Sequence, residues 1–146
     1  MSRARIWRWT LACVLAAAAS PACIATCTVS TTGLEFGPYD VFSPLNHDIT
    51  GTITVSCDAG APYSLSLSSG SGTYASRVMT DGSYSLGYNL FLDPTRLSIW
   101  GDGTAGTGIV SGNAVDAIHT VYGRIPARQN AHVGTYTDTI IVTVTF

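Results

Sequence analysis

The segment Tyr136-Thr-Asp-Thr-Ile-Ile-Val-Thr-Val-Thr-Phe146 constrains this chain more than any other. Ile140, Val142, Val144 and Phe146 fall on one face of an extended strand, and Thr139, Thr143 and Thr145 fall on the other. Period-two alternation in β-branched and aromatic residues predicts a half-buried β-strand. The pattern runs to the final residue, so no later segment is expected to pair the strand's second edge. Such an edge presents unpaired N–H and C=O groups beside an apolar row. It calls either for an earlier strand of the same chain or for one lent by another protein.

The first 25 residues read as a separate object. Arg3, Arg5 and Arg8 precede a run of small apolar residues from Leu11 to Ala19, and Pro21 leads to small residues suited to signal-peptidase cleavage. Cleavage after Ala25 fits best, with Ala22 and Ala19 as alternatives. The run is shorter than the roughly 20 residues of a membrane span. Cys13 lies too early for lipid attachment, and Cys23 has no Leu three places before it. The expected organisation is therefore a signal peptide over 1–25 and one domain over 26–146. Export leaves four Arg and no Lys against nine carboxylates, a charge near minus five, which disfavours nucleic acid and anionic membranes as partners. It also leaves Cys27 and Cys57 in a compartment that permits disulfides. No CxxC spacing exists, so a structural bridge is the expected role.

Strand signals recur from Cys27 onward with turn residues between them. Cys27–Thr31 and Leu34–Phe36 precede the turn Gly37-Pro38-Tyr39-Asp40. Ile49 to Cys57 alternates cleanly until Asp58-Ala-Gly60, and Tyr63, Leu65 and Leu67 alternate with serines before the Gly70-Ser-Gly72 loop. A short strand over 77–80 meets the hairpin signal Asp81-Gly82. Leu86 to Leu92 follows, then a short strand over Leu97–Trp100, a flexible loop over 101–112, a strand over 119–125, a long turn over 126–134 and the terminal strand. No segment keeps helical spacing for three turns. Many short strands with regular turn signals predict an all-β sandwich.

Catalytic and metal-binding patterns are weak. Gly101-Asp-Gly103-Thr-Ala-Gly106 matches the letters of a dinucleotide fingerprint, but Thr107-Gly-Ile-Val110 continues it without helical periodicity. His47, His119 and His132 are far apart in sequence. A metal site built from them with Asp48 or Asp116, or a weak calcium site at Asp102 and Asp116, lacks any established spacing. There is no Gly-x-Ser-x-Gly elbow. No metal, cofactor or enzymatic activity is expected. Among the aromatic and apolar loop residues, Trp100, Ile109 and Val110 form the best candidate for an exposed adhesive tip.

Taken together, Cys27-Thr-Val-Ser30, Leu34-Glu-Phe-Gly-Pro-Tyr-Asp40, Val55-Ser-Cys57-Asp58 and Gly134-Thr-Tyr-Thr-Asp138 through Phe146 resemble the spore coat protein U domain. That domain is shared with Csu-type pilins of archaic chaperone–usher pili. The resemblance implies an immunoglobulin-like sandwich lacking its final strand. A periplasmic chaperone fills the gap, and the N-terminal extension of a neighbouring pilus subunit then replaces it at an outer-membrane usher. It also implies a Cys27–Cys57 pair, a groove bordered by Ile140, Val142, Val144 and Phe146, and a terminal carboxylate anchored by the chaperone. One departure is evident: Ser20-Pro-Ala-Cys-Ile-Ala-Thr26 contains a proline and no alternation, so it is a poor strand to lend. The expectation is a pilus subunit at the tip or in an accessory position, reaching the cell surface and serving adhesion or biofilm formation. The alternative is a self-sufficient structural protein of an outer coat or matrix, with an internal strand such as 28–36 closing the sandwich.

Overall fold

Two strands far longer than the usual run of about 3–10 residues carry the fold. The computed structural model describes residues 26–146, and the expected signal peptide lies outside the described residues. In chain order the strands are β1 (Cys27–Thr31), β2 (His47–Leu67), β3 (Arg77–Asp81), β4 (Tyr84–Phe91), β5 (Val110–Ile125) and β6 (Val142–Thr145). β2 has 21 residues and β5 has 16. They pair antiparallel from His47↔Ile125 to Ser56↔Asp116, and again from Ala61↔Ala114 to Leu65↔Val110. Between Ser56 and Ala61 the register shifts. Extra residues in one strand bend it and increase its twist, so the ladder curls. The two halves of β2 then offer their other edge to different neighbours, β1 along Ile53–Cys57 and β6 along Ser64–Leu67. The strand order is β1-β2-β5-β4-β3, with β6 attached to β2.

Alternation along β2 decides which side is dry. Ile53, Val55, Cys57, Tyr63, Leu65 and Leu67 are buried, while the serines and threonines between them reach solvent or its margin. Met79 of β3, Leu86, Tyr88 and Leu90 of β4, Val121 and Ile125 of β5, and Trp100 complete the core. The expected alternation in β2, in the 77–80 strand and in the 86–92 strand is thus present, and Gly82 takes a φ of 58° in the β3–β4 turn.

Several expectations need correction. Asp58-Ala-Gly60 does not end the strand but forms its irregular middle. β5 begins at Val110 rather than near His119, because pairing to β2 recruits 111–118 although those residues lack an apolar alternation of their own. Leu97–Trp100 contributes only isolated bridges, Phe91↔Ile99 and Trp100↔Gly108. Leu34–Phe36 is not a strand. It lies across the inner face of the sheet, where a Cβ on Gly123 would sit 2.9 Å from both Leu34 and Phe36. A Cβ on Gly51 would sit 2.6 Å from the Gly33 carbonyl oxygen, so both glycines permit this close crossing. Trp100, expected at an exposed loop tip, is 0 % exposed. Its indole N–H donates to the Leu65 carbonyl at 3.2 Å, and the apolar ring is worth more in the core than in water.

Arg77 is the least anticipated core residue, also 0 % exposed. Its guanidinium donates to the Ser68 carbonyl at 2.8 and 3.1 Å, to the Trp100 carbonyl at 2.7 Å and to Asn89 Oδ1 at 2.7 Å. Asn89 Nδ2 in turn donates to the carbonyls of Tyr74 and Ala75 at 3.0 and 3.3 Å. Among the described residues no carboxylate forms an ion pair with Arg77. Burial therefore pulls its pKa below the ordinary arginine value, with Tyr88, Tyr74 and Asp138 pulling the other way. The arrangement ties two loops, 68–76 and 92–101, to the β3–β4 hairpin. Arg77→Met is expected to cost about 3 kcal/mol or more in urea unfolding, because it orphans the Ser68 and Trp100 carbonyls and leaves Asn89 Oδ1 with the Leu90 N–H alone. A loss under about 1 kcal/mol would show that the network adds little to stability.

Cys27 and Cys57 face each other in the β1–β2 register and form a disulfide that closes a sequence separation of 30. A loop of that size is worth about 3.5 kcal/mol on the chain-entropy account. Cys57→Ser is expected to lower stability by about 2–4 kcal/mol, and adding reductant should then leave the variant's melting temperature unchanged while lowering that of the parent protein.

Candidate functional site

The terminal segment is shorter as a strand than its pattern implies. Only Val142–Thr145 is laddered, although Tyr136, Asp138, Ile140, Val142 and Val144 are all half-buried and the residues between them are exposed. The reason is a change of partner. Thr137 exchanges two main-chain bonds with Thr80 of β3, at 2.9 and 3.0 Å, whereas four residues later Ser68 N–H donates to the Ile141 carbonyl at 3.0 Å. The segment thus crosses from the edge of β3 to the edge of β2.

Asp138 holds the crossing point. Its Oδ1 accepts from Ser71 N–H at 3.0 Å, from Ser71 Oγ at 2.8 Å and from Thr139 N–H at 2.8 Å. Its Oδ2 accepts from the Tyr88 hydroxyl at 2.6 Å. Burial, then the bond and the charge of Asp138, push the Tyr88 phenol well above its ordinary pKa, so it remains a neutral donor.

Antiparallel ladders direct a residue's N–H and C=O to one side and the next residue's to the other. Thr137, Ile141, Thr143 and Thr145 turn theirs toward β3 and β2. Ile140, Val142 and Val144 therefore turn theirs the opposite way. No described strand pairs along that side, since β6 has β2 as its partner.

A cleft of about 1000 Å³ opens there. One wall is residues 33–42 and the other is residues 131–142, and the buried core residues Ile53, Leu67, Met79, Leu86, Leu90, Val121 and Ile125 form the floor between them. The first wall is anchored by Tyr39, whose hydroxyl donates to the Pro126 carbonyl and accepts from Gln129 N–H, both at 2.8 Å. Gln129 in turn pairs with the Gly87 peptide at 2.8 and 2.7 Å. At the mouth, Phe42 and Val133 are 88 % and 93 % exposed. The described chain therefore surrounds an apolar slot whose floor is its own core and one of whose margins is a strand edge.

Of the residues singled out for the groove, Ile140 and Val142 line it. Val144 packs on the core beside Leu65, its ladder partner, and Phe146 is 62 % exposed and stands apart from the lining. The lining of the opposite wall and the Tyr88–Asp138 pair were not legible in advance. The only sequence signal for them was the turn-rich stretch around Tyr39. Ile109 is 43 % exposed and Val110 is half-buried, but Trp100 does not join them at the surface.

The histidines stay separate: His47 Nε2 contacts the Phe36 carbonyl, His119 Nε2 meets the Tyr63 hydroxyl at 2.8 Å, and His132 stacks on Tyr84 at 4.1 Å. Among the described residues no three His, Cys, Asp or Glu side chains come together as metal ligands would. Gly101–Gly106 is a loop in which Asp102 accepts from Thr104 N–H at 2.9 Å, and β5 follows it.

The family described as the Spore Coat Protein U domain matches residues 13–143. Protein U of Myxococcus xanthus is 37 % identical over 128 residues, spanning 77 % of this chain and 71 % of its own. Among solved structures, a chain of the CsuC–CsuE chaperone–tip adhesion subunit pre-assembly complex, from the archaic chaperone–usher Csu pili of Acinetobacter baumannii, superposes with a TM-score of 0.64 at 22 % identity. That match covers 84 % of this chain but only 40 % of the other's length. HdaB, the Hda pilus minor tip subunit of E. coli, aligns at a TM-score of 0.43 and 14 % identity, over 80 % of this chain and 79 % of its own. The Csu likeness shows a common fold, the immunoglobulin-like sandwich of pilin type. With the family match running from residue 13 to residue 143 of 146, this chain belongs to the spore coat protein U domain family.

Proposed function

We propose that this chain is a non-catalytic structural subunit of a chaperone–usher pilus, exported through the periplasm to the cell surface, whose cleft receives a β-strand from another polypeptide. The observation that carries this reading is the pairing of an apolar slot of about 1000 Å³ with the unladdered side of Ile140 and Val142. An inserted strand gains main-chain hydrogen bonds along that side, and its alternate side chains fill the slot over Leu86, Leu90 and Val121. A periplasmic chaperone supplies that strand in transit, and a neighbouring subunit supplies it after passage through the usher. Ile140, Val142 and Val144 belong to the receiving strand, with Phe146 at its exposed end.

Within such an assembly we place the chain at the tip or in an accessory position, because Ser20–Thr26 contains Pro21 and lacks apolar alternation. Adhesion or biofilm formation is the corresponding role, with Ile109 and Val110 as the remaining surface candidates. A second reading, a self-sufficient coat or matrix protein, draws on the likeness to Protein U and on a core in which, among the described residues, no buried side-chain polar atom lacks a partner.

Co-expression with a periplasmic chaperone of the chaperone–usher class separates the two. The proposal expects a stable one-to-one complex that Val142→Asp abolishes, since a carboxylate would sit on the apolar slot, while Ile141→Asp on the outward face leaves it intact. A soluble monomer that ignores the chaperone, or a Val142→Asp protein that still co-purifies with it, would overturn the strand-acceptor reading.

A further inference from the structure

The cleft has a charge sign as well as a shape. Its described lining includes three carboxylates, Glu35, Asp40 and Asp138, and no Arg or Lys. The basic residues of the described chain are committed or placed elsewhere. Arg77 is enclosed by carbonyls, Arg96 and Arg124 share Asp48 at 3.3 and 2.7 Å, and Arg128 is exposed outside the lining. Asp138 is occupied by Tyr88, Ser71 and Thr139, and Asp40 Oδ1 accepts from Phe42 N–H at 2.9 Å. Glu35 is exposed and in no described ion pair. A low-dielectric slot lined by one sign of charge focuses field toward its mouth and draws in partners of the opposite sign.

Resting on the strand-acceptor reading, we infer that the occupant of this cleft is a basic strand: apolar residues at alternate positions, facing the floor opposite Ile140 and Val142, with Lys or Arg at the positions between or flanking them. Antiparallel neighbours directly opposite each other point to the same face, so residues paired with Ile140 and Val142 enter the slot and must be apolar. The intervening residues point to its mouth, where Glu35 and Asp40 stand on the facing wall. A strand with Glu at those positions would meet like charge at close range, and a strand with Gln would gain no steering. The effect is on partner choice and association rate more than on the depth of binding.

The test uses three capped nonapeptides with Val at alternate positions and Lys, Gln or Glu between them, labelled for fluorescence anisotropy and mixed with the exported protein refolded from urea. The Lys peptide is expected to associate at least about tenfold faster than the Gln peptide at low salt, with the gap closing near 0.5 M salt as screening sets in. Glu35→Gln combined with Asp40→Asn, both on an exposed wall, is expected to remove most of that gap. Equal binding of all three peptides, or a Lys preference that survives the double substitution, would overturn the charge inference and leave the cleft as a strand acceptor. Failure of every peptide to bind would overturn the acceptor reading itself.

Discussion

Everything in this molecule is hung on the antiparallel ladder between β2 and β5. Main-chain hydrogen bonding must be satisfied along two strands of 21 and 16 residues, and no flat sheet of that length would enclose a core. The register shift after Ser56 solves both demands, since it keeps the pairing and turns the ladder. β1 is thereby placed beside one half of β2 and β6 beside the other, each with a single strand partner. The gap between those two neighbours is a consequence of the turn, and the cleft is what the gap looks like from outside.

Polar groups are used in this fold to hold loops where strands cannot. Arg77 gathers the Ser68 and Trp100 carbonyls, Asp138 gathers Ser71, Thr139 and Tyr88, and Tyr39 with Gln129 pins the opposite wall to the 126–129 turn. Each is a convergence on one side chain from segments distant in sequence. Their joint effect is to hold two irregular walls apart over a dry floor, against the tendency of apolar surfaces to close on each other. On the proposed strand-acceptor reading, a preformed slot of this kind would spare an incoming strand part of the ordering cost of binding.

Much of the architecture was legible from alternation. β2 from Ile53 to Cys57 and from Tyr63 to Leu67 and the inward face of Ile140, Val142 and Val144 follow from a period of two, and the hairpin at Gly82 follows from its Asp-Gly turn signal. The readings that failed share one cause. Trp100, grouped with Ile109 and Val110 as an exposed loop tip, is buried in the core with its indole N–H on the Leu65 carbonyl. The early half of β5 has no alternation, and its strand form comes from pairing with β2 alone. Leu34 and Phe36 alternate like a strand but are carried across the sheet over Gly51 and Gly123. Local pattern reports which residues avoid water; it does not report which backbone will be near enough to pair.

By itself the amino-acid sequence determined an all-β sandwich, two cysteines placed to bridge, and a terminal segment with one apolar face, because these depend on side-chain chemistry at short spacing. Only the tertiary structure decided that the terminal segment changes partner at Asp138, that its remaining side borders an apolar slot, and that the opposing wall is acidic. Those properties arise from residues as far apart in sequence as Glu35 and Val142, brought together by the bend in one long ladder. Hydrogen-bond direction along a strand is likewise invisible until its neighbours are known, since the same residues can present either edge.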